Sequence, residues 1–374
     1  MENRKAVTIA LLLMAVASQA QTNLANKPFA DMDRHGVTFS LDFSSDLFGA
    51  SGAKPASETS QQWLDLSSRI ELARVSPRFK GTRVFVSLHL NGAINSNLGG
   101  AVQSISGLQT APGVHLPEFW LEHETSSWST FRIGKIDANR DFGVTENAGF
   151  FLNSTQGYDP TFIALPNYND TRTGVEVLLH PRRLAFNLAV FSPAGGRGVL
   201  LMQEASYRWS LRNNPGRLAA GVWRVTGKML SIDGDDRDGA RGHYAIAEQS
   251  LWHNERDSSH QPQTLSVFGQ IGTAPATFSL FTSHLGGGLL WKAAIVCREN
   301  DAIGFAISHG HLSWIPSAPD PRNENAWEAF YRIQVRPTLS FTPDLQYIDG
   351  PGGARRSLVA VGARMTLNLH SGTE

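Results

Sequence analysis

Cysteine is almost absent. Cys297 is the one thiol in 374 residues, which excludes a disulfide framework and a cysteine-rich zinc site. Charge is sparse too: 18% of residues are charged, below the usual share of a soluble protein, and 33 basic residues balance 33 acidic ones. A nucleic-acid binder needs a basic surplus to displace condensed counterions, so that class of partner is excluded. Beyond the N-terminus no stretch is apolar enough for a spanning helix, and no long segment of helical period stands out. What the chain does have is glycine, 35 residues of it, and apolar residues at every second position. The length accommodates two soluble domains or one large β-structure; high glycine and weak charge favour the β-structure.

At the N-terminus, Arg4 and Lys5 precede an apolar run from Ala6 to Ala17 and the small-x-small site Ser18-Gln19-Ala20. This pattern predicts a secretory signal peptide over 1–20, the alternative being an uncleaved anchor. The chain then leaves the cytoplasm, and a single unpaired cysteine suits an oxidising compartment.

The period of two marks strands with two unlike faces. Val37, Phe39, Leu41 and Phe43 alternate with Thr38, Ser40 and Asp42; Val359, Val361, Ala363, Met365, Leu367 and Leu369 alternate with Gly362, Arg364, Thr366 and Asn368. Further runs at 64–72, 84–90, 117–125, 128–136, 173–180, 183–191, 203–211, 217–226, 243–250, 263–271, 287–296, 301–309, 327–336 and 339–347 bring the count to about sixteen. The connections alternate in length. Short ones at 76–81, around Ser126, 180–182, 212–216, 298–300 and 336–337 are interleaved with long ones at 91–116, 137–172, 192–202, 228–242 and 312–326. One breaks the rule, since 252–262 should be short and is not.

Such alternation predicts an all-β fold: a transmembrane, antiparallel, up-and-down barrel with short periplasmic turns and long extracellular loops. A closed sheet pairs every backbone donor and acceptor, as lipid demands. Residues 21–35 then form an N-terminal periplasmic segment and 36–370 the barrel domain.

Several stretches resemble the bacterial carbohydrate-selective porin (OprB) family. They are Arg132-Ile133-Gly134-Lys135-Ile136-Asp137-Ala138-Asn139-Arg140-Asp141-Phe142 with Phe151-Leu152-Asn153-Ser154 and Asp159-Pro160-Thr161-Phe162; Tyr244-Ala245-Ile246-Ala247-Glu248-Gln249; and Phe330-Tyr331-Arg332-Ile333-Gln334-Val335 followed by Pro343-Asp344-Leu345-Gln346-Tyr347-Ile348 and Pro351-Gly352-Gly353. The resemblance spans about 36–369. It implies a sixteen-stranded outer-membrane channel for passive, sugar-preferring diffusion, narrowed by inward-folded loops, with no cofactor, no metal and no catalytic step. Its partners would be small sugars, outer-membrane lipid and, as in many porins, two further copies in a homotrimer. The chain ends Leu369-His370-Ser371-Gly372-Thr373-Glu374, where family barrels finish on an aromatic residue.

If the apolar faces meet lipid, the opposite faces list the pore lining: Arg69, Glu71, Arg83, Arg132, Glu328, Arg332, Gln334, Asp344 and Gln346 among others. Arg forks, carboxylates and amides suit a neutral, polyhydroxylated solute. Cross-strand pairing that merely keeps the lumen wet is the competing reading. The segment 137–172 adds Asp137, Asn139, Arg140 and Asp141 with Phe150 and Phe151, and a loop this long inside a compact domain is usually functional. Its rings would be platforms for sugar C–H faces or, equally, the loop's own small core.

The alternatives are a general or anion-preferring porin built on an arginine ladder (Arg69, Arg83, Arg132, Arg332, Arg364), an outer-membrane lipid hydrolase, and a soluble periplasmic sandwich. A hydrolase needs a serine beside an oriented histidine; Ser308 and His309 fall on opposite strand faces. Asp233–Gly239 faintly resembles a calcium loop but lacks the downstream bidentate Glu, and His309 with His311 has no third ligand. Trp223, Trp252, Trp291, Trp314 and Trp327 suit interfacial girdles.

Overall fold

A computed structural model describes residues 32, 34–52, 58–94, 98–110, 112–168, 170–193, 197–254, 262–313 and 323–371. The expected signal peptide, most of 21–35, Trp314 and the last three residues lie outside the described residues. The strands are β1 (Val37–Ser51), β2 (Glu58–Glu71), β3 (Thr82–Ile94), β4 (Gly113–Ser126), β5 (Ser129–Ile136), β6 (Arg172–Leu179), β7 (Leu184–Phe191) and β8 (Leu200–Leu211). They continue with β9 (Asn214–Leu230), β10 (Asp236–Asn254), β11 (Gln263–Thr273), β12 (Phe281–Lys292), β13 (Ala302–Leu312), β14 (Asn323–Arg336), β15 (Leu339–Asp349) and β16 (Ser357–His370).

Each strand pairs antiparallel with its sequence neighbours, and β1 closes on β16 with Phe43 opposite Leu367. The result is the expected sixteen-stranded closed barrel. An even strand number brings the start of β1 and the end of β16 to one rim, together with the β6–β7 and β8–β9 turns. The β8–β9 link is a two-residue hairpin, Arg212-Asn213, with both residues at positive φ (50° and 66°). Such primed turns match the twist of paired strands.

The outer face is apolar. Phe305, Ile307, Leu345 and Val361 are exposed there, and the alternate residues Ala306, Ser308, Asp344 and Ala360 are buried inside. No described helix is long and apolar enough to cross a membrane, so the strands carry that surface.

Two connections and the start of one strand differ from the sequence reading. The expected long loop 228–242 is mostly strand: β9 and β10 run on, with Asp236 opposite Leu230, and only 231–235 turn. Its Gly/Asp-rich sequence reads as loop, but a polar hairpin standing above the apolar band needs no hydrophobic face. The expected short link 298–300 is in fact 293–301, and β12 begins at Phe281 rather than 287. The run Gly286-Gly287-Gly288 hid that strand. A Cβ at Gly288 would lie 2.8 Å from Ala306 and from the Phe268 ring, so no side chain fits there to continue the alternation.

The largest difference concerns the interior. Inward residues of β7–β14 include Phe191, Met202, Trp223, Tyr244, Phe268 and Phe330, and these are buried rather than wet. They meet Phe142, Phe162 and Leu165 from the 137–171 loop in one cluster, and Phe151 in another. The core of this protein lies inside the barrel, between loop and wall. Trp223 therefore belongs to that core and not to an interfacial girdle.

Candidate functional site

β5 and β6 have only eight residues each, so the chain leaves the wall partway up the barrel and the 137–171 loop fills the lumen. Asp137 Oδ1 accepts the Asn139 N–H (2.9 Å), and the Ala138 N–H donates to Pro166 O (2.9 Å), which closes the loop on itself. Gly143 has φ +67°, and a Cβ there would sit 2.4 Å from the Phe162 ring. Only glycine permits that approach.

Wall carboxylates hold the loop's backbone. The Gly143 N–H donates to Glu204 on β8 (2.8 Å), the Asn147 N–H to Glu248 on β10 (2.8 Å), and the Leu152 and Asn153 N–H groups to Glu328 on β14. A second loop, between β3 and β4, is held in the same way: Val102 and Gln103 N–H donate to Glu324. Each carboxyl group accepts backbone N–H groups that would otherwise be left without a partner inside the barrel. The alternation pattern places Glu328 on the inner face, but it carries no information about what covers that face, and Glu324 falls within the expected loop 312–326.

Arg132 on β5 is enclosed by carboxylates: Glu122 (2.9 Å), Asp141 (2.5 Å) and Glu176 (2.6 Å), with its guanidinium 4.7 Å over the Trp120 ring. Arg140 pairs with Glu118 and lies 5.1 Å over Phe85. Arg83 bridges Glu71 (3.3 Å), Glu122 (3.1 Å) and Glu124 (2.7 Å). Arg364 forms two hydrogen bonds of 2.7 Å to Asp46. Most of the supposed arginine ladder is thus neutralised in place.

Burial and the neighbouring Glu118 carboxylate raise the Asp137 carboxyl to about 7, with Arg140 opposing the shift. An acid whose folded pKa lies above its free value binds protons preferentially in the folded state. The loop's attachment therefore weakens as pH rises from about 4 to about 7 and levels off above that. Asp137→Asn keeps the acceptor for Asn139 and removes the titration. Single-channel recordings should show wild-type current fluctuations growing between pH 5 and pH 7, and a flatter profile in the variant. Identical profiles would remove Asp137 from this role.

The remaining expected site residues divide. Arg69 and Glu71 are exposed at the lower end of β2, and Asn139 and Asp141 sit partly exposed at the loop start. Phe150 is partly exposed, with the Arg332 guanidinium 4.8 Å over its ring. Phe151 is buried edge-on against Phe330 (4.9 Å) and Phe268 (5.5 Å), so it is the loop's core and not a platform. Glu328, Asp344 and Gln346 do not line open lumen: Glu328 is 1% exposed, and Gln346 donates to Ile105 O (2.9 Å) and Asp344 (2.8 Å) beneath the two loops. Gln334 turns away to the β14–β15 link, where its amide donates to Pro337 O (3.3 Å) and Leu339 O (3.2 Å).

Ser308 and His309 do occupy opposite faces. His309 pairs outward with Asn325 (2.6 Å), while Ser308, fully buried, meets His284 Nε2 on β12 (2.8 Å). Asp159 lies 3.6 Å from the other ring nitrogen, beyond a hydrogen bond, and burial raises its carboxyl to about 6. Ser308 Oγ also donates to Gln103 and accepts from Thr155 (3.1 Å). With no exposed surface it knots the two loops to the wall.

A family model described as carbohydrate-selective porin, OprB family, matches residues 166–369, more than half of the chain. The Tyr244–Gln249 and Phe330–Gly353 stretches lie within it, while the Arg132–Phe162 stretch precedes it. No curated protein sequence matches. Among solved structures, the high-pH form of Pseudomonas putida OprB superposes with a TM-score of 0.78 at 15% identity, covering 91% of this chain and 96% of that one. Its low-pH form gives 0.62 at 14% identity, covering 91% and 94%. A loop-deletion mutant of Vibrio cholerae OmpT gives 0.56 at 9% identity, covering 89% and 99%. At such identities a structural likeness speaks for the fold, and the sequence model speaks for the family. A closed barrel whose lumen is narrowed by its own anchored loops is a diffusion channel rather than an enzyme, and the chain belongs to the carbohydrate-selective porins of the bacterial outer membrane, the OprB family.

Proposed function

We propose that sugars pass along a polar strip formed by Arg69, Glu71 and Arg83 on β2 and β3 and by Asn139, Arg140 and Asp141 where the long loop begins, with Phe150 and Arg332 as an aromatic–cation contact on the far side of that loop. The observation that carries this reading is the loop itself, held inside a closed barrel by glutamates from β8, β10 and β14. What it leaves exposed is charged of both signs, suited to hydroxyl donors and acceptors and offering little net field to an ion. Passage is passive and needs no cofactor.

Arg69 is the cleanest test, because among the described residues its guanidinium makes no ion pair that its removal would orphan. A charged hydrogen bond contributes about 1.5 kcal/mol or more, roughly tenfold in binding. Arg69→Gln should therefore raise the glucose concentration that half-blocks the single-channel current about tenfold, with folding unchanged. An unaltered half-blocking concentration would take Arg69 out of the path.

The same reading has lipid against the apolar outer wall and three copies of the chain side by side. Phe43, Leu64, Leu367 and Leu369 form an apolar cluster on the outer faces of β1, β2 and β16, which supports a packed wall there. Cross-linking in mild detergent should give the mass of three chains; a single-chain mass at every cross-linker concentration would contradict trimerisation.

A further inference from the structure

Beneath the long loop, a cavity of about 270 Å³ opens between its first residues and the β6–β7 turn. That size is at the small end of ligand pockets, roughly 300–1,000 Å³, and fits one sugar ring rather than an oligosaccharide. Its charge is uneven: five arginines line it against Asp141, Glu146 and Glu204. Three of the five are committed. Arg140 pairs with Glu118, Arg208 with Glu146, and Arg217 with Glu204 and Glu248. Arg182 and Arg183, from the turn itself, have no acidic partner among the described residues.

Two independent features mark this as more than a solvated turn. Arg182 is held at φ +60°, a left-handed conformation that costs a side-chain-bearing residue about 1–2 kcal/mol. Arg212 in the β8–β9 hairpin shares this conformation, so what sets Arg182 apart is its place on the cavity wall. Asn187, nine-tenths buried on the same cavity wall, donates its Nδ2 to Asp141 O (2.6 Å) while its Oδ1 has no partner. The amide orientation is fixed by that bond, so the cavity presents an unused acceptor beside two unpaired cations.

We propose that this cavity is an exit subsite for an acidic monosaccharide, one carrying a carboxylate or a phosphate, whose anion meets Arg182 and Arg183 and whose hydroxyl donates to Asn187 Oδ1. The inference rests on the sugar-channel reading and extends it: neutral sugars cross without using the subsite, and acidic ones are drawn toward the periplasmic rim. Guanidinium forks suit both carboxylate and phosphate.

Single-channel current through the full-length, reconstituted barrel should be titrated with glucose, glucuronate, glucose 6-phosphate and inorganic phosphate. Both acidic sugars, or one of them, should half-block the current at lower concentration than glucose; the member of the pair that does so identifies the anion. The double variant Arg182→Gln/Arg183→Gln should raise the acidic half-blocking concentration about tenfold or more and leave the glucose value unchanged. Asn187→Asp, which places a negative charge at the acceptor position, should weaken the same sugars with the turn arginines intact. Equal block by acidic and neutral sugars, no change in the double variant, or block by inorganic phosphate as strong as by the sugar phosphate would each overturn the subsite. Failure of glucose to enter the wild-type channel would instead strike the sugar-channel reading, so the two failures are told apart.

Discussion

Glu248→Ala combined with Glu328→Ala should widen the channel. Glu248 accepts the Asn147 N–H and side-chain amide (2.8 and 2.9 Å), and Glu328 accepts the Leu152 and Asn153 N–H groups. Removing both leaves three backbone donors without acceptors in a dry contact, at about 1–3 kcal/mol each. The loop relieves that cost by lifting into the water-filled lumen. Its start stays fixed through Glu204 and Gly143, and the barrel, held by its own backbone ladder, keeps its closure. Single-channel conductance should rise, and tri- and tetrasaccharides that scarcely swell wild-type proteoliposomes should enter. Heat-modifiable migration on gels should be unchanged. A folded double variant with wild-type conductance and the same size cut-off would show that the loop does not set the pore.

The second large effect falls on the other face of the wall. Ile307 is at the middle of β13, outward and 41% exposed. In water an arginine there would be harmless. Against hydrocarbon near the bilayer midplane it costs about 2–4 kcal/mol, a large share of a marginal stability. Ile307→Arg should lower the urea concentration at which the barrel unfolds from lipid vesicles and reduce its yield in the outer membrane. A variant as stable as wild type would mean that this surface does not meet lipid.

These expectations show where sequence reading works and where it stops. Alternation at 301–309 and 359–369 identified strands, faces and closure, because a strand's period is fixed by backbone geometry alone. The start of β12 is illegible in the sequence because Gly286, Gly287 and Gly288 carry no side chain to alternate. Glu328, Asp344 and Gln346 are polar and inward, the signature of a wet lumen, but they lie under a loop. Periodicity reports which way a residue points and nothing about a segment nearly two hundred positions away, such as Asn153, which covers Gln346. One signal was present. Glu204 and Glu248 sit in inward rows of Met202 and Ser206 and of Ile246 and Ser250, and an isolated carboxylate among apolar or small neighbours has to find buried donors. The unpaired turn arginines gave no such signal, since Arg182 and Arg183 look like any solvated link.

The most direct measurement is swelling of proteoliposomes containing only the purified chain, in isosmotic neutral sugars of increasing size. A closed barrel, apolar outside and open along a polar strip within, predicts glucose-driven swelling well above that of protein-free liposomes. It predicts no requirement for ion gradients or nucleotide, and a steep fall from mono- to oligosaccharide. Swelling no faster than in protein-free liposomes, with the barrel shown by heat-modifiable migration to be folded and inserted, would contradict the account.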